Sequence, residues 1–226
     1  MAFPRLTPVA DRALLVEFGD TVDEAAHDLV VALDAVLRAA PPMGMVEAVP
    51  AMLNLLIVFD PCITGHDAIA DAVRPRLAGL VADPTAVACH DVPVCYEADL
   101  APDLAAVSAQ TGLSVEAVIA AHLAGDYSVF MYGFAPGYAY LSGVPAEIRL
   151  PRKSTPVRGV AAGSVIIAGG QCLVTTLTMP TGWWVIGRSP ARILTGNEVR
   201  PFLFDVGDRV RFRRIGLDEL AKGGAT

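Results

Sequence analysis

Residues 164–187 read SVIIAGGQCLVTTLTMPTGWWVIG, and this stretch decides the fold class of the second half of the chain. Short apolar runs alternate with glycine, threonine and proline, and no helical period connects them. The same pattern extends from Tyr127 almost to the end of the sequence, with few charged residues. Short strands separated by tight turns are typical of an all-β barrel or sandwich.

The N-terminal part of the chain alternates between strand-like and helix-like periods. Strand-like apolar runs occupy 13–18, 45–49, 53–59 and 86–96, and apolar residues at helical spacing occupy 22–38 and 66–80. Their order is β-α-β-β-α-β, which is the ferredoxin-like succession. The sequence therefore predicts an α+β chain, with a ferredoxin-like α/β sandwich over residues 1–91 and a β domain over residues 92–226.

The composition excludes several classes of protein. The 226 residues are 54% hydrophobic and 18% charged, which is enough for a sizeable core and excludes a disordered chain. The net charge is −7 and no basic run is present, which argues against nucleic acid as a partner. The uncharged stretches 127–146 and 159–187 are interrupted by glycine and proline, so no membrane span is expected.

Targeting and metal signals are also missing from the sequence. The N-terminal residues lack the basic and apolar regions of a secretory signal, and we expect a cytoplasmic protein. The four cysteines are scattered and form no C-x-x-C motif, so we expect buried thiols and no metal site. A phosphate-binding loop of the G-x-x-x-x-G-K-[ST] type does not occur either.

Basic residues are concentrated in the β half of the acidic chain. Residues 127–204 contain only two acidic residues, Glu147 and Glu198, against seven basic ones: Arg149, Arg152, Lys153, Arg158, Arg188, Arg192 and Arg200. Arginine forks suit bidentate binding of carboxylate or phosphate, so the pattern indicates an anionic ligand. The alternative is that these side chains pair with the acidic first half or are solvated at turns.

Two segments of the β half have the composition of a small-molecule site. In Tyr127–Leu141, Pro136 and Gly137 shape a tight turn, while the aromatic walls are supplied by Phe134, Tyr138 and Tyr140. Core aromatics around a plain strand, turn and strand are the alternative. Between residues 150 and 190, arginines, glycines, a glutamine and two tryptophans recur at turns, and such a mixture provides apolar walls with a few fixed donors and charges.

These segments contain an ordered set of motifs. They are YSVFMYGFAPGYAYL at 127–141, PRKSTP at 151–156, AGSVIIAGGQ at 162–171, GWWVIGRSP at 182–190 and GDRVRF at 207–212. Together they resemble the allophanate hydrolase subunit 1 family, also called the KipI family, which includes the B subunit of 5-oxoprolinase and carboxyltransferase domains. The resemblance covers nearly the whole chain and implies an N-terminal ferredoxin-like module and a C-terminal cyclophilin-like β-barrel.

The resemblance also implies a function and partners. It indicates a small subunit of a heteromeric, ATP-dependent 5-oxoprolinase or a related amide or lactam hydrolase, active only with its partner. The implied partners are a subunit 2 homologue and a third subunit, with ATP and Mg bound together with the partner and a small anionic substrate. Two alternatives stay open: a KipI-like inhibitor of a histidine kinase, and a carboxyltransferase component of a urea carboxylase-like system.

The candidate site residues follow from the motif positions and their chemistry. The catalytic candidates are His122, Arg152 and Gln171. The candidates for substrate binding are Phe134, Pro136, Gly137, Tyr140, Arg158, Gly163, Ser164, Trp183 and Arg188. Arginines, the glutamine and the Gly163–Ser164 backbone would stabilise developing negative charge. His122 would move a proton near neutral pH, and its alternative role is to cap the end of the helix predicted at 114–123.

The chain departs from the family pattern at the presumed site. Val157 stands where the family commonly has arginine, and Ala161 stands where it has proline, so that Arg158 is displaced by one residue. These changes affect the residues expected to line the pocket rather than the fold. Another small amide or lactam is therefore a second candidate for the substrate.

Overall fold

A computed structural model of the chain describes residues 3–82 and 87–223. By its internal contacts the chain divides into the units Met1–Val87 and Ala88–Thr226, each with its own hydrophobic core. The strand Cys89–Val94 lies wholly in the second unit, and the boundary expected between residues 91 and 92 falls inside it.

A four-stranded antiparallel sheet and two helices make up the first unit. In chain order the elements are β1 (Arg5–Val9), β2 (Ala13–Glu17), α1 (Glu24–Ala39), β3 (Met45–Pro50), β4 (Asn54–Phe59) and α2 (His66–Ala78). Alternate residues of β4, namely Leu55, Ile57 and Phe59, are buried, as expected for a strand with one face on the core. The Asp23 side chain accepts the Ala26 N–H at 3.1 Å and caps α1.

The ferredoxin-like succession does not describe this sheet. The strand order is β1-β2-β4-β3, and β1, at the edge beside β2, is a strand that the sequence patterns did not predict. The run expected over residues 86–96 contains the strand Cys89–Val94, which pairs in the second unit instead. A short strand containing Pro8 thus takes the edge position, and an edge strand tolerates proline because one side of it needs no ladder hydrogen bonds.

The second unit is built on a seven-stranded sheet. Its elements are β5 (Cys89–Val94), α3 (Leu104–Thr111), α4 (Val115–Ala124), β6 (Tyr127–Tyr132), β7 (Ala139–Ser142), β8 (Val157–Val160), β9 (Ser164–Ala168), β10 (Gln171–Val174), β11 (Met179–Thr181), β12 (Trp184–Arg188), β13 (Arg209–Arg214) and α5 (Leu217–Gly223). The sheet order is β12-β9-β10-β7-β6-β13-β5, while β8 and β11 form a separate two-stranded ribbon.

The two ends of the seven-stranded sheet meet. The Cys95 N–H donates to the Arg188 carbonyl at 2.8 Å, and the Arg188 N–H donates to the Cys95 carbonyl at 2.9 Å. This bridge brings the chain just after β5 against β12, so the sheet is nearly closed around a buried apolar interior. The nearly closed, barrel-like sheet fits the cyclophilin-like fold that the motif resemblance implies.

Strands β9 and β10 are apolar on both faces. Val165, Ile167, Cys172 and Val174 point into the barrel interior. Ile166 and Leu173 alternate with them and belong to a second, smaller cluster on the outer face, which includes Met179 at its margin. This outer cluster positions the candidate site.

The length and apolar composition of the helices decide whether any of them could cross a membrane. Within residues 3–82 and 87–223, no single helix is long and apolar enough to cross a membrane; α3 and α4, bent by 94° at their junction, meet that criterion only as a pair and only by length and composition.

Candidate functional site

A pocket of about 150 Å³ opens on the outer face of the barrel. Its floor consists of Ile166, Leu173 and Met179. Its walls are aromatic, and its rim carries one charged side chain together with the end of β11 and the glycine that follows it. The walls are Phe134, Tyr138, Tyr140 and Trp183, and the rim is Arg152 with Pro180–Gly182.

The aromatic walls contact each other in pairs. The rings of Tyr140 and Trp183 meet edge to face with centroids 5.9 Å apart, and those of Phe134 and Tyr138 lie 5.6 Å apart. The Tyr138 hydroxyl donates to the Met179 sulfur at 2.6 Å. Because a thioether is a weak acceptor, this bond joins wall and floor without engaging a strong polar group.

Arg152 is the only charged residue among the described residues that line the pocket. Its guanidinium carbon lies 5.6 Å from the centroid of the Trp183 ring, a cation–π arrangement. Within the described part of the chain, the guanidinium makes no ion pair or hydrogen bond to the protein. All of its donors are therefore available to a ligand.

The backbone on both sides of Arg152 is fixed. The Trp184 indole N–H donates to the Pro151 carbonyl at 2.8 Å, and the Lys153 N–H donates to the Gly182 carbonyl at 2.7 Å. The Lys153 ammonium lies 2.6 Å from the carboxylate of Asp103. The neighbours of Arg152 are thus held on the barrel wall, and its own side chain is directed to the pocket rim.

Pro136 and Gly137 shape the loop beside the pocket rather than line it. The Tyr138 N–H donates to the Ala135 carbonyl at 3.1 Å, and Gly137 has φ +74°, so residues 135–138 form a type II turn. A Cβ on Gly137 would lie 2.8 Å from Leu194 Cδ2, and Leu194 does not line the pocket. Proline at the second position and glycine at the third are the residues that this turn favours.

Gly163, Ser164 and Arg188 meet at a different place. The Gly163 N–H donates to the Thr175 carbonyl at 2.6 Å, and the Ser164 N–H donates to the Thr175 hydroxyl at 2.9 Å. These backbone donors therefore hold the fold and are not directed at a ligand. Arg188 lies alongside Gly163, and none of the three residues lines the pocket.

Gln171 and Arg158 lie outside the pocket as well. Gln171 begins β10, two residues before Leu173 and hence on the same strand face, but it stands at the turn beyond the pocket. Arg158 is exposed on β8. Of the residues selected from the sequence, the structure brings together Phe134, Tyr140, Arg152 and Trp183.

His122 lies in the barrel core and does not reach the pocket. Its Nδ1 is 2.7 Å from the Tyr96 hydroxyl, and its Nε2 is 3.6 Å from Cys172 Sγ. The ring also packs against Tyr127 and Phe212. Because the side chain is fully buried, desolvation lowers the pKa of His122 to about 3. The imidazole is therefore neutral at physiological pH.

The floor of the pocket is not predicted from the sequence. Ile166 and Leu173 sit in runs that are apolar at almost every position, so alternation along the strand does not reveal which residues face outward. Met179 lies in the three-residue strand β11, which is too short to show a pattern. What identifies the floor residues is the smaller outer cluster, in which they pack with residues of the β8–β11 ribbon. That packing is a tertiary contact and is not encoded in the local sequence pattern. Among the residues that the structure describes, no group of three or more His, Cys, Asp or Glu side chains could hold a metal ion.

Comparisons with known proteins agree with the motifs. The family model for the carboxyltransferase domain, subdomain C and D, matches residues 4–204. The B subunit of 5-oxoprolinase from Bacillus subtilis (strain 168) is 34% identical over 93% of this chain and 92% of its own length.

Solved structures extend the comparison. The protein TTHA0988 is 35% identical over 91% of this chain, with a TM-score of 0.79, and this chain spans 40% of its length. The urea carboxylase of Kluyveromyces lactis, 17% identical over 93% of this chain and 22% of its own, has a TM-score of 0.68 and shares the fold. The chain therefore belongs to the carboxyltransferase domain family, subdomain C and D, and it is a relative of the 5-oxoprolinase B subunits.

Proposed function

We propose that the chain is the small subunit of a heteromeric, ATP-dependent hydrolase of a small cyclic amide, with 5-oxoproline as the leading substrate. The observation that carries this proposal is the guanidinium of Arg152, which has no ion-pair or hydrogen-bond partner among the described residues and lies over Trp183 at the rim of an apolar pocket. A relative of similar length is named as the B subunit of a 5-oxoprolinase, which supports the choice of substrate.

The pocket suits a small acid with an apolar ring. Its volume of about 150 Å³ is below the range of roughly 300 to 1,000 Å³ typical of larger ligands. The Arg152 fork can bind a carboxylate in a bidentate manner, while Leu173 and Met179 offer apolar contact to the methylene groups of a five-membered lactam. The Tyr140 hydroxyl, which has no hydrogen-bond partner among the described residues, can donate to the lactam oxygen.

The same residues do not fit ATP. A triphosphate with its metal ion requires several cationic or backbone donors, and the described lining of this pocket offers the single cation Arg152. The sequence has no phosphate-binding loop. We therefore propose that the nucleotide binds with the partner subunit. In this proposal the chain's own part is to bind the substrate carboxylate and to exclude water from its ring.

Reconstitution tests the proposal. The chain is purified alone and together with a subunit 2 homologue and a third subunit from the same genome, and ATP hydrolysis is measured with and without 5-oxoproline. We expect no substrate-dependent hydrolysis by the isolated chain, and 5-oxoproline-stimulated hydrolysis with glutamate formation by the complex. A complex that assembles and shows no stimulation by 5-oxoproline contradicts the proposed substrate, and activity of the isolated chain contradicts the need for partners.

A carboxyltransferase component is the second candidate. The fold shared with a urea carboxylase favours it. That activity would require a carboxylated biotin carrier, and a transfer assay with carboxybiotin and urea distinguishes it from lactam hydrolysis. A KipI-like kinase inhibitor has only the motif resemblance in its favour, and it would act without turnover of any small substrate.

A further inference from the structure

Phe134 has an unusual backbone conformation. Its φ is +69°, a region that bulky L-residues rarely adopt. The Ala135 N–H donates to the Gly133 carbonyl at 2.8 Å, which makes Phe134 the central residue of a three-residue γ-turn. The form of this turn with positive φ is rare and strained. A glycine at this position would adopt the same turn without the steric cost.

The loop around Phe134 maintains this conformation. The Gly133 N–H donates to the Tyr138 carbonyl at 3.2 Å and closes the base of the loop. On the far side, the Thr176 hydroxyl donates to the Pro136 carbonyl at 2.7 Å. Phe134 is therefore held in its strained conformation by hydrogen bonds at Gly133 on one side and at Pro136 on the other.

The Phe134 side chain makes few contacts with the fold, so its packing does not offset this strain. It is 75% exposed, and its described ring contact is with Tyr138 on the pocket wall. An exposed phenyl group is itself unfavourable in water. Strain and exposure thus coincide in one residue on the wall of the pocket that contains Arg152, and such outliers cluster at ligand-binding positions.

We propose that Phe134 is a specificity-determining residue whose ring covers the apolar edge of a small carboxylic acid bound to Arg152. The inference rests on the proposed function and adds to it how the ligand is selected. When the ligand binds, the phenyl ring contacts the ligand's methylene groups instead of water, so the exposed apolar area of Phe134 becomes buried. The pocket therefore selects acids with an apolar ring over acids of similar size with polar substituents.

Substitutions at residue 134 test this inference in the reconstituted complex. Phe134→Gly removes both the ring and the strain, while Phe134→Leu keeps an apolar group. We expect Phe134→Gly to raise the KM for 5-oxoproline about tenfold and to leave the melting temperature of the chain equal or higher. Phe134→Leu should raise KM less. Val199→Ala is the matched control, because Val199 is 95% exposed and lies outside the pocket.

Each result distinguishes this inference from the proposed function. If the wild-type complex does not use 5-oxoproline, the proposed function fails and the inference fails with it. If the wild-type complex is active and Phe134→Gly has the same KM, only the inference about Phe134 fails. A fall of several degrees in the melting temperature of Phe134→Gly, with KM unchanged, shows that the ring supports the fold and also overturns the inference.

Discussion

The Lys153 ammonium lies 2.6 Å from Asp103 Oδ2, and the same carboxylate oxygen accepts the Val185 N–H at 2.7 Å. Asp103 lies just before α3, so this largely buried carboxylate connects that segment both to strand β12 and to Lys153, the residue after Arg152. We expect Lys153→Met to lower the free energy of unfolding by about 2 kcal/mol, because it leaves a charged acceptor without its partner. Chemical denaturation measures the change.

The same substitution should also raise the KM of the reconstituted complex, since Arg152 loses an anchored neighbour. Arg214→Met is the control: its ion pair with Glu116 is exposed, and its loss should cost at most about 1 kcal/mol. Equal losses of stability in the two variants would contradict the larger contribution of the buried pair, and an unchanged KM in Lys153→Met would contradict the positioning role of Lys153.

The second prediction concerns Arg152 itself. A bidentate, charge-assisted contact to a carboxylate contributes about 1.5 to 3 kcal/mol, so Arg152→Ala should raise the KM for 5-oxoproline roughly 10- to 100-fold. The melting temperature should change by no more than a few degrees, because the guanidinium is exposed and unpaired within the described residues. Steady-state kinetics of the complex and thermal unfolding of the chain check both statements.

Arg200→Ala controls for a general loss of positive charge. Arg200 belongs to the same basic segment but is exposed and lies 3.6 Å from Asp205, away from the pocket. If both alanine variants weaken substrate use equally, the effect is long-range electrostatics and Arg152 does not contact the substrate.

The third prediction concerns pH. In the unfolded chain His122 titrates near its ordinary pKa of about 6.5, whereas burial lowers its pKa in the folded chain to about 3. Between these values only the unfolded chain binds the proton, so the free energy of unfolding falls with falling pH by up to about 1.4 kcal/mol per pH unit. The slope is half of this value at pH 6.5, and above about pH 7.5 this group contributes almost no pH dependence.

His122→Asn removes that titration. The variant should be less stable than the wild type at pH 7.5, because the bonds to Tyr96 and Cys172 change, and the difference should shrink toward pH 5. Denaturation curves at both pH values give the two differences. Turnover per folded molecule should be retained, and a large loss of turnover at unchanged stability would instead assign His122 to catalysis.

Thiol reactivity provides a fourth test. Cys62 and Cys89 are exposed, whereas Cys95 and Cys172 are buried, and desolvation raises the pKa of the Cys172 thiol far above its ordinary value. At pH 8 we expect two cysteines to react rapidly with a thiol reagent in the native chain and all four after denaturation. Mass spectrometry of the labelled peptides identifies them, and rapid labelling of Cys172 would show that the core around His122 opens.

The sequence predicts the walls and rim of the site better than its floor. Phe134, Arg152 and Trp183 lie in loops between apolar runs, where aromatic and basic residues stand out. Tyr140 lies in the short strand β7 next to such a loop. Leu173 does not stand out, because it lies in a strand that is apolar on both faces. His122 shows a different limit: a helix of largely apolar residues does not reveal which side packs inward, and the structure places this predicted site residue in the barrel core, away from the pocket.

Strand pairing limits the prediction of the fold in a similar way. Val92 and Val94 are buried at alternate positions, as in a strand of any sheet. Only the tertiary structure shows that their strand pairs with β13. Strand β1 was missed because it is short and contains Pro8, which weakens its pattern. The barrel was easier to predict, since many short runs and turns indicate it independently.

The position of β13 between β6 and β5 has a consequence for synthesis on the ribosome. The Ala88 N–H donates to the Asp208 carboxylate at 3.0 Å across 120 residues of chain, where β5 and β13 begin side by side. While the nascent chain ends before Arg209, β5 and β6 lack the neighbour that they share, and their ladder hydrogen bonds on that side stay unmade. The barrel therefore closes after the ribosome has released β13, whereas the strands of the first unit are complete once Phe59 has emerged.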